Sequence, residues 1–144
     1  MRVGSYSTVS DCLVGRNWTN GIVVPDNCMV MNNNCVENGV TNAPGAGVLV
    51  TGRGSRVEKN NLNGNYYGLK VLKGGNRIEN NNLIDNTVGM VDSGGNLVIR
   101  NSVGGSVTNF NLSANTQYGV ILKDMGVAFS NSNPWANFEL PAAE

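Results

Sequence analysis

Apolar and polar positions recur along the chain with a period close to 21 residues. In the clearest unit, Val57 is followed by Asn60, Leu62 and Asn65, and then by a glycine that opens a short apolar strand. The same order begins again at Ile78, 21 residues later and without a gap. Further units begin at positions 9, 30 and 98, so the pattern predicts five aligned units.

The repeat predicts an all-β fold. Its strands are very short and are separated by Asn and Gly, and no segment has apolar residues at helical spacing. Such strands cannot bury an apolar face alone, whereas coils stacked about 4.8 Å apart bury it continuously. We therefore predict a right-handed parallel β-helix (a solenoid) of five to six coils over residues 1–124. Residues 125–144 are predicted to form an irregular C-terminal capping tail of the same domain.

Equivalent positions in successive coils predict rows along the stack. Three inward rows are expected: Val9, Val30, Val57, Ile78 and Val98; Val14, Cys35, Leu62, Leu83 and Val103; Ile22, Val48, Leu69, Met90 and Val120. Two buried asparagine ladders, in which side-chain amides bond the turns and one another, are expected at Asn33, Asn60, Asn81 and Asn101, and at Asn38, Asn65 and Asn86. A glycine row is expected to need unusual backbone angles at Gly21, Gly47, Gly68 and Gly89.

With these rows, the chain resembles the right-handed parallel β-helix repeat family, the broad group that contains pectate-lyase-like and NosD-like proteins. The resemblance covers roughly residues 5–124. It implies the fold but not one activity, because the group includes lyases, hydrolases, phage adhesins and non-catalytic repeats. Members often begin with a capping helix, which this sequence lacks. We therefore expect the first coil to be covered by a preceding part of a longer parent chain or by another subunit.

Composition limits the chemistry. Ten Lys and Arg balance ten Asp and Glu, so we predict neither a nucleic-acid partner nor a membrane partner. No histidine is present, and no metal or cofactor is predicted. Cys12, Cys28 and Cys35 are interpreted as small buried side chains, with a Cys12–Cys35 disulfide as the alternative.

The acidic residues do not reproduce the catalytic motifs that the resemblance implies. Lyases of the group use clustered acids that bind calcium, and its hydrolases use an Asp-Asp pair, but this chain has no Asp-Asp dipeptide. The nearest candidates are Glu58 and Glu79, at equivalent positions with Arg and Lys on either side. We interpret them as part of a solvated, salt-bridged surface; the alternative is a cation-binding or catalytic pair.

One polar face has the composition of a sugar-binding surface. Aromatic rings stack on the C–H faces of sugars, and polar groups beside them bond the hydroxyls. The alternative is that these aromatic residues pack over a neighbouring coil. The carbohydrate-binding candidates are Arg16, Glu37 and Asp85 in one row, Trp18 and Tyr66 in a second row, and Tyr67 beside them.

An outward row of the third strand is largely apolar, and such a stripe is normally covered. Either the tail with Trp135 and Phe138 covers it, or other copies of the chain do, in which case a homo-oligomer, most readily a trimer, is expected. The row is Val23, Leu49, Lys70, Val91 and Ile121.

The functional prediction is a non-catalytic structural or binding module of a bacterial or phage surface protein that contacts polysaccharide. The alternatives are a fragment of a polysaccharide lyase or hydrolase, and a mechanical spacer between other domains. An extracellular or cell-surface location is expected, although the chain shows no signal segment.

Overall fold

The computed structural model describes residues 1–40, 43–123 and 132–141. These residues form eighteen short β-strands and no helix, so none of them belongs to a helix able to span a membrane. The strands are β1 (Thr8–Ser10), β2 (Leu13–Gly15), β3 (Ile22–Val24), β4 (Met29–Met31), β5 (Asn34–Val36), β6 (Ala46–Val50), β7 (Arg56–Glu58), β8 (Asn61–Asn63), β9 (Tyr67–Val71), β10 (Arg77–Glu79), β11 (Asn82–Ile84), β12 (Val88–Asp92), β13 (Leu97–Ile99), β14 (Ser102–Gly104), β15 (Thr108–Leu112), β16 (Gln117–Tyr118), β17 (Ile121–Lys123) and β18 (Asn137–Leu140).

The strands form three parallel sheets that run along the stack. Sheet 1 has the order β1-β4-β7-β10-β13-β16, sheet 2 has the order β17-β18-β14-β11-β8-β5-β2, and sheet 3 has the order β15-β12-β9-β6-β3. Each coil contributes one strand to each sheet, and β1 to β15 make five complete coils. The predicted parallel β-helix is therefore confirmed.

The first two inward rows lie where the repeat predicts them, and their side chains form one apolar core. The third row differs at its last position, because Phe110 of β15 pairs with Met90. Val120 was expected there but lies outside this row and is exposed. The sequence repeat does not predict β15, because Asn109 occupies the position at which the earlier coils have glycine.

Each coil turns at three corners, and at each corner one residue adopts a left-handed backbone conformation. In the inner coils the residue that follows it is buried and hydrogen-bonds its equivalents in the neighbouring coils. The left-handed residues are Tyr6, Asn27, Gly54, Gly75 and Gly95 at the first corner; Asp11, Asn32, Lys59, Asn80 and Arg100 at the second; and Arg16, Glu37, Gly64, Asp85 and Gly105 at the third.

Both predicted asparagine ladders are present and buried. Asn60 shows the arrangement: its Nδ2 donates to the carbonyl of Val30 at 2.9 Å and to Oδ1 of Asn81 at 3.0 Å. Its own Oδ1 accepts from the backbone N and the Nδ2 of Asn33, both at 3.0 Å. Each amide thus satisfies backbone groups that the turn leaves unpaired.

A third ladder at the first corner was missed. The backbone N of Ser55 donates to Oδ1 of Asn76 at 2.8 Å, and the backbone N of Asn76 donates to Oδ1 of Asn96 at 2.8 Å. At the end of this ladder toward the C-terminal coils, the buried carboxylate of Asp92 accepts hydrogen bonds from Nδ2 of Asn96 and from the hydroxyl of Thr116. The two hydrogen bonds offset part of the cost of burying a carboxylate.

The glycine row lies where it was predicted, but the predicted reason, unusual backbone angles, is wrong. None of these glycines has a positive φ angle. A Cβ atom on Gly68 would instead lie 2.5 Å from the carbonyl oxygen of Gly89 and 2.8 Å from Nδ2 of Asn86. A Cβ atom on Gly47 would meet the next coil in the same way, at 2.9 Å. Close approach between coils, and not a special backbone conformation, requires glycine here.

Within the predicted tail, residues 132–141 are described and enter sheet 2, whereas residues 125–131 and 142–144 lie outside the described residues. β18 lies between β14 and β17, with Phe138 paired to Ser102 on one side and to Leu122 on the other. Residues 119–122, where the sequence suggests the third strand of an irregular sixth coil, therefore do not join sheet 3; Ile121 and Leu122 belong to β17 of sheet 2. β17 includes Ile121, which was expected in the outward apolar row, whereas Asn111 is the residue that follows Val91 there.

Candidate functional site

The left-handed corner residues position the candidate sugar-binding side chains. Arg16 and Glu37 occupy the third corner of the first two coils, with φ angles of 57° and 54°. Nε of Arg16 lies 2.8 Å from Oε2 of Glu37, and the two side chains are 84% and 48% exposed. Solvent screens this ion pair, so it contributes little to stability, and both groups remain accessible to a ligand.

Trp18 stands beside this ion pair and is 73% exposed. A groove of about 380 Å³ runs between them, lined by Arg16, Asn17, Trp18, Glu37 and Val40. A second groove of about 450 Å³ shares the ion pair and is lined in addition by Leu13, Gly15 and Val36. We call the two grooves together the Trp18 surface.

The remaining candidates lie apart from the Trp18 surface. Gly64 separates Glu37 from Asp85 in their row, and Gly39 separates Trp18 from Tyr66. Two coil spacings correspond to about 9.6 Å. The sequence rows are therefore real, but the structure brings together only three of the six candidates: Arg16, Trp18 and Glu37.

The two tyrosines pack against their neighbours. The rings of Tyr66 and Tyr67 meet edge to face, with centroids 4.8 Å apart, and Nζ of Lys70 lies 4.4 Å from the centre of the Tyr67 ring. These contacts lie within one coil, so they do not show the packing over a neighbouring coil that was the alternative to sugar binding.

Glu58 and Glu79 form a salt-bridged cluster on sheet 1. The guanidinium of Arg56 contacts both carboxylates, at 3.0 and 2.6 Å, and Arg77 donates two hydrogen bonds to Glu79, at 2.7 and 2.9 Å. The side chain of Glu79 is 2% exposed. The hydrogen bond from Arg77 holds the pKa of Glu79 below its ordinary value, outweighing burial, which raises it. A carboxyl group kept ionised in this way is unsuited to donate a proton.

A further groove of about 410 Å³ lies at the other end of the stack, between sheet 1 and the tail. The sequence does not predict this groove, because the residues on its two sides are far apart in the chain. The large aromatic side chain of Trp135 was the one feature that could have pointed to it. We call it the Trp135 groove. It is lined by Arg77, Leu97, Ile99, Gln117, Tyr118, Gly119, Val120, Asn133 and Trp135.

These features define a non-globular repeat protein, a parallel β-helix with buried amide ladders and exposed aromatic grooves. The chain belongs to the family whose model is described as "Periplasmic copper-binding protein (NosD)", and that model matches residues 2–139. No curated protein and no solved structure matches the chain.

The residues of this chain do not fit the copper named in the family description. Copper sites in proteins use imidazole and sulfur ligands; the sequence contains no histidine, so its three cysteines and five methionines are the only side chains of these kinds. Cys28 and Cys35 are buried free thiols, and Cys12 is a partly buried one. Burial, with a smaller contribution from Cys12, raises the pKa of Cys35 to about 12, which disfavours the thiolate that a metal requires. Within the described residues, no three His, Cys, Asp or Glu side chains form a metal-binding group.

Proposed function

We propose that the chain is a non-catalytic binding module, located outside the cytoplasm, that contacts polysaccharide through the Trp18 surface. The observation that supports this most strongly is the exposed indole of Trp18 beside the exposed Arg16–Glu37 ion pair. The indole offers a flat apolar face to a sugar ring, and the charged pair offers both donors and acceptors to its hydroxyls. The periplasmic description of the family supports the location.

A glycan array followed by calorimetric titration of the best-binding oligosaccharide tests this proposal. Trp18→Ala is expected to weaken binding about tenfold or more, because truncating an aromatic residue that anchors a ligand costs about 2 kcal/mol or more. Tyr6→Ala is the matched control, because Tyr6 is an aromatic residue of similar exposure, 82% against 73%, at a different corner of the same coil. Equal affinities for wild type and Trp18→Ala would rule out the Trp18 surface as the binding site.

The same module is proposed to self-associate through the outward face of sheet 3. Val23, Leu49 and Val91 are half-buried there, and Lys70 interrupts the row. Strand β18 of the tail pairs within sheet 2, Trp135 lines the groove beside sheet 1, and Glu139 accepts from Asn109 of β15, so no described tail residue pairs with the strands that carry the stripe. Light scattering is expected to detect an oligomer that Leu49→Lys dissociates. A monomeric wild-type protein at high concentration would exclude this interface.

A further inference from the structure

The Trp135 groove lies between sheet 1 and the tail. Leu97 and Ile99 of β13 line it on the sheet side, and Trp135, which is 47% exposed, forms the wall on the tail side. Tyr118, which is 53% exposed, and Gln117, which pairs with Leu97, also line it. A concave apolar site with two aromatic rings and few polar groups is typical of ligand-binding sites.

The position of Trp135 is fixed before any ligand arrives. The guanidinium carbon of Arg100 lies 4.6 Å from the centre of the indole, and Nε of Arg100 donates to the carbonyl of Pro134 at 2.8 Å. The backbone N of Trp135 donates to Oδ1 of Asn133 at 2.9 Å. The following residue, Ala136, is buried. A wall held in this way loses little conformational entropy on binding.

The carboxylates beside the groove are paired. Arg77 binds Glu79, and Arg56 contacts both Glu58 and Glu79, so two arginines balance two carboxylates. Arg100 is held against the indole and by the carbonyl of Pro134. The groove lining itself, aromatic rings with an amide beside them, suits an uncharged ring that has apolar faces and hydroxyl groups around its edge.

We propose that the Trp135 groove is a second carbohydrate-binding site and that it takes one neutral pyranose ring of a glycan. The ligand class rests on the proposed function, whereas the site does not. Trp18 belongs to the first coil, and the carbonyl of Trp135 accepts from the backbone N of Arg100 in the fifth coil, so Trp135 stands one coil further. The two sites are separated by about 24 Å along the axis. They also lie at different corners, so the module can hold two glycan chains at once.

The chain has two tryptophans, and one stands at each proposed site. Trp18→Phe therefore leaves Trp135 as the only indole, and Trp135→Phe leaves Trp18. Each variant is titrated with cellohexaose and chitohexaose, which are neutral, and with hexagalacturonate, which is acidic, while tryptophan fluorescence is recorded. Trp18→Phe is expected to show a saturable change with a neutral hexasaccharide, at about tenfold lower concentration than with the acidic one.

Gln117→Ala, made in the Trp18→Phe background, is expected to weaken this response about tenfold, as loss of one hydrogen bond at the ring edge would. If the fluorescence of Trp135 (in Trp18→Phe) does not change with either neutral hexasaccharide while that of Trp18 (in Trp135→Phe) does, the second site is refuted and the proposed function stands. If Trp135 responds and Trp18 does not, the second site stands and the Trp18 surface is refuted. A preference of the Trp135 groove for hexagalacturonate would also overturn the inference.

Discussion

Asn137, in the tail, occupies the next position of the ladder that Asn101 would otherwise end. Its Oδ1 accepts from the backbone N of Asn101 at 3.0 Å and from the Nδ2 of Asn101 at 3.1 Å. Its Nδ2 donates to the carbonyls of Val98 and Gly119 at 3.1 and 3.0 Å. A residue 36 positions further along the chain thus repeats the contacts that each coil makes with the next.

Removing an amide from the middle of a ladder should be strongly destabilising. Asn60→Ala leaves the buried N and Nδ2 of Asn33 without their acceptor and the carbonyl of Val30 without its donor. We expect the free energy of unfolding to fall by about 3 kcal/mol or more, measured by urea denaturation. Asn82→Ala is the control. Asn82 is exposed and donates to Asn61, so its loss should cost less than about 1 kcal/mol. Equal losses for the two variants would contradict the structural role of the ladder.

The glycines of the third sheet should be sensitive to a single methyl group. Gly68→Ala forces a Cβ atom against the carbonyl of Gly89, which belongs to the rigid backbone of the next coil. We expect the melting temperature to fall, with a loss of about 1–3 kcal/mol from overpacking. Gly4→Ala is the control, because a Cβ atom there meets nothing within 4 Å. If Gly68→Ala is as stable as Gly4→Ala, the coils do not approach as closely as described.

The ion pairs of Glu79 predict a pH dependence of stability. The pKa of Glu79 is lower in the folded chain than in the unfolded chain, mainly because Arg77 donates to the carboxylate. The stabilisation is therefore fully present above the unfolded pKa of about 4.3 and is lost as the pH falls through the folded pKa. At pH 7, Glu79→Gln should be less stable than wild type by about 1–3 kcal/mol, and thermal melts should show this gap closing below about pH 4.

The exposed Arg16–Glu37 pair provides the comparison for that experiment. Glu37→Gln should change the free energy of unfolding by less than about 1 kcal/mol at neutral pH, because both side chains face solvent. A gap between wild type and Glu79→Gln that stays constant from pH 7 to acid would contradict the assignment to Glu79.

Copper should have no effect on stability, in contrast to the family description. A metal that binds the folded state raises the melting temperature by mass action. Because the chain has no histidine and its Cys35 thiol stays protonated, we expect the same melting temperature with Cu²⁺, with Cu⁺ under reducing conditions and with a chelator. A melting temperature that rises with copper concentration would show that a site exists.

The sequence predicts the parts of the fold that repeat. The row from Val9 to Val98 and the ladder from Asn33 to Asn101 could be found because each coil must satisfy the same packing and the same hydrogen bonds. The third ladder was not predicted because it contains Ser55 and Thr116 as well as asparagine, so no single residue type identifies it in the sequence.

The tail and the grooves could not be predicted in the same way. β18 joins sheet 2 through pairing with β14 and β17, and nothing local to Asn137 in the sequence specifies those partners. The Trp18 surface depends on which exposed corner residues face one another, and glycines at two intervening positions separate it from Tyr66 and Asp85. Periodicity gives the row of a residue but not the shape of the surface around it.

Hydrogen exchange at the backbone amide of Asn101 tests the central claim, that one continuous hydrogen-bonded ladder runs from the coils into the tail. In Asn137→Ala, this amide loses its acceptor, and we expect its protection to fall about tenfold or more. The amide of Asn60, which donates to Asn81, should keep its protection relative to the global stability of the variant. Unchanged protection at Asn101 would contradict the placement of the tail strand and of the ladder that it completes.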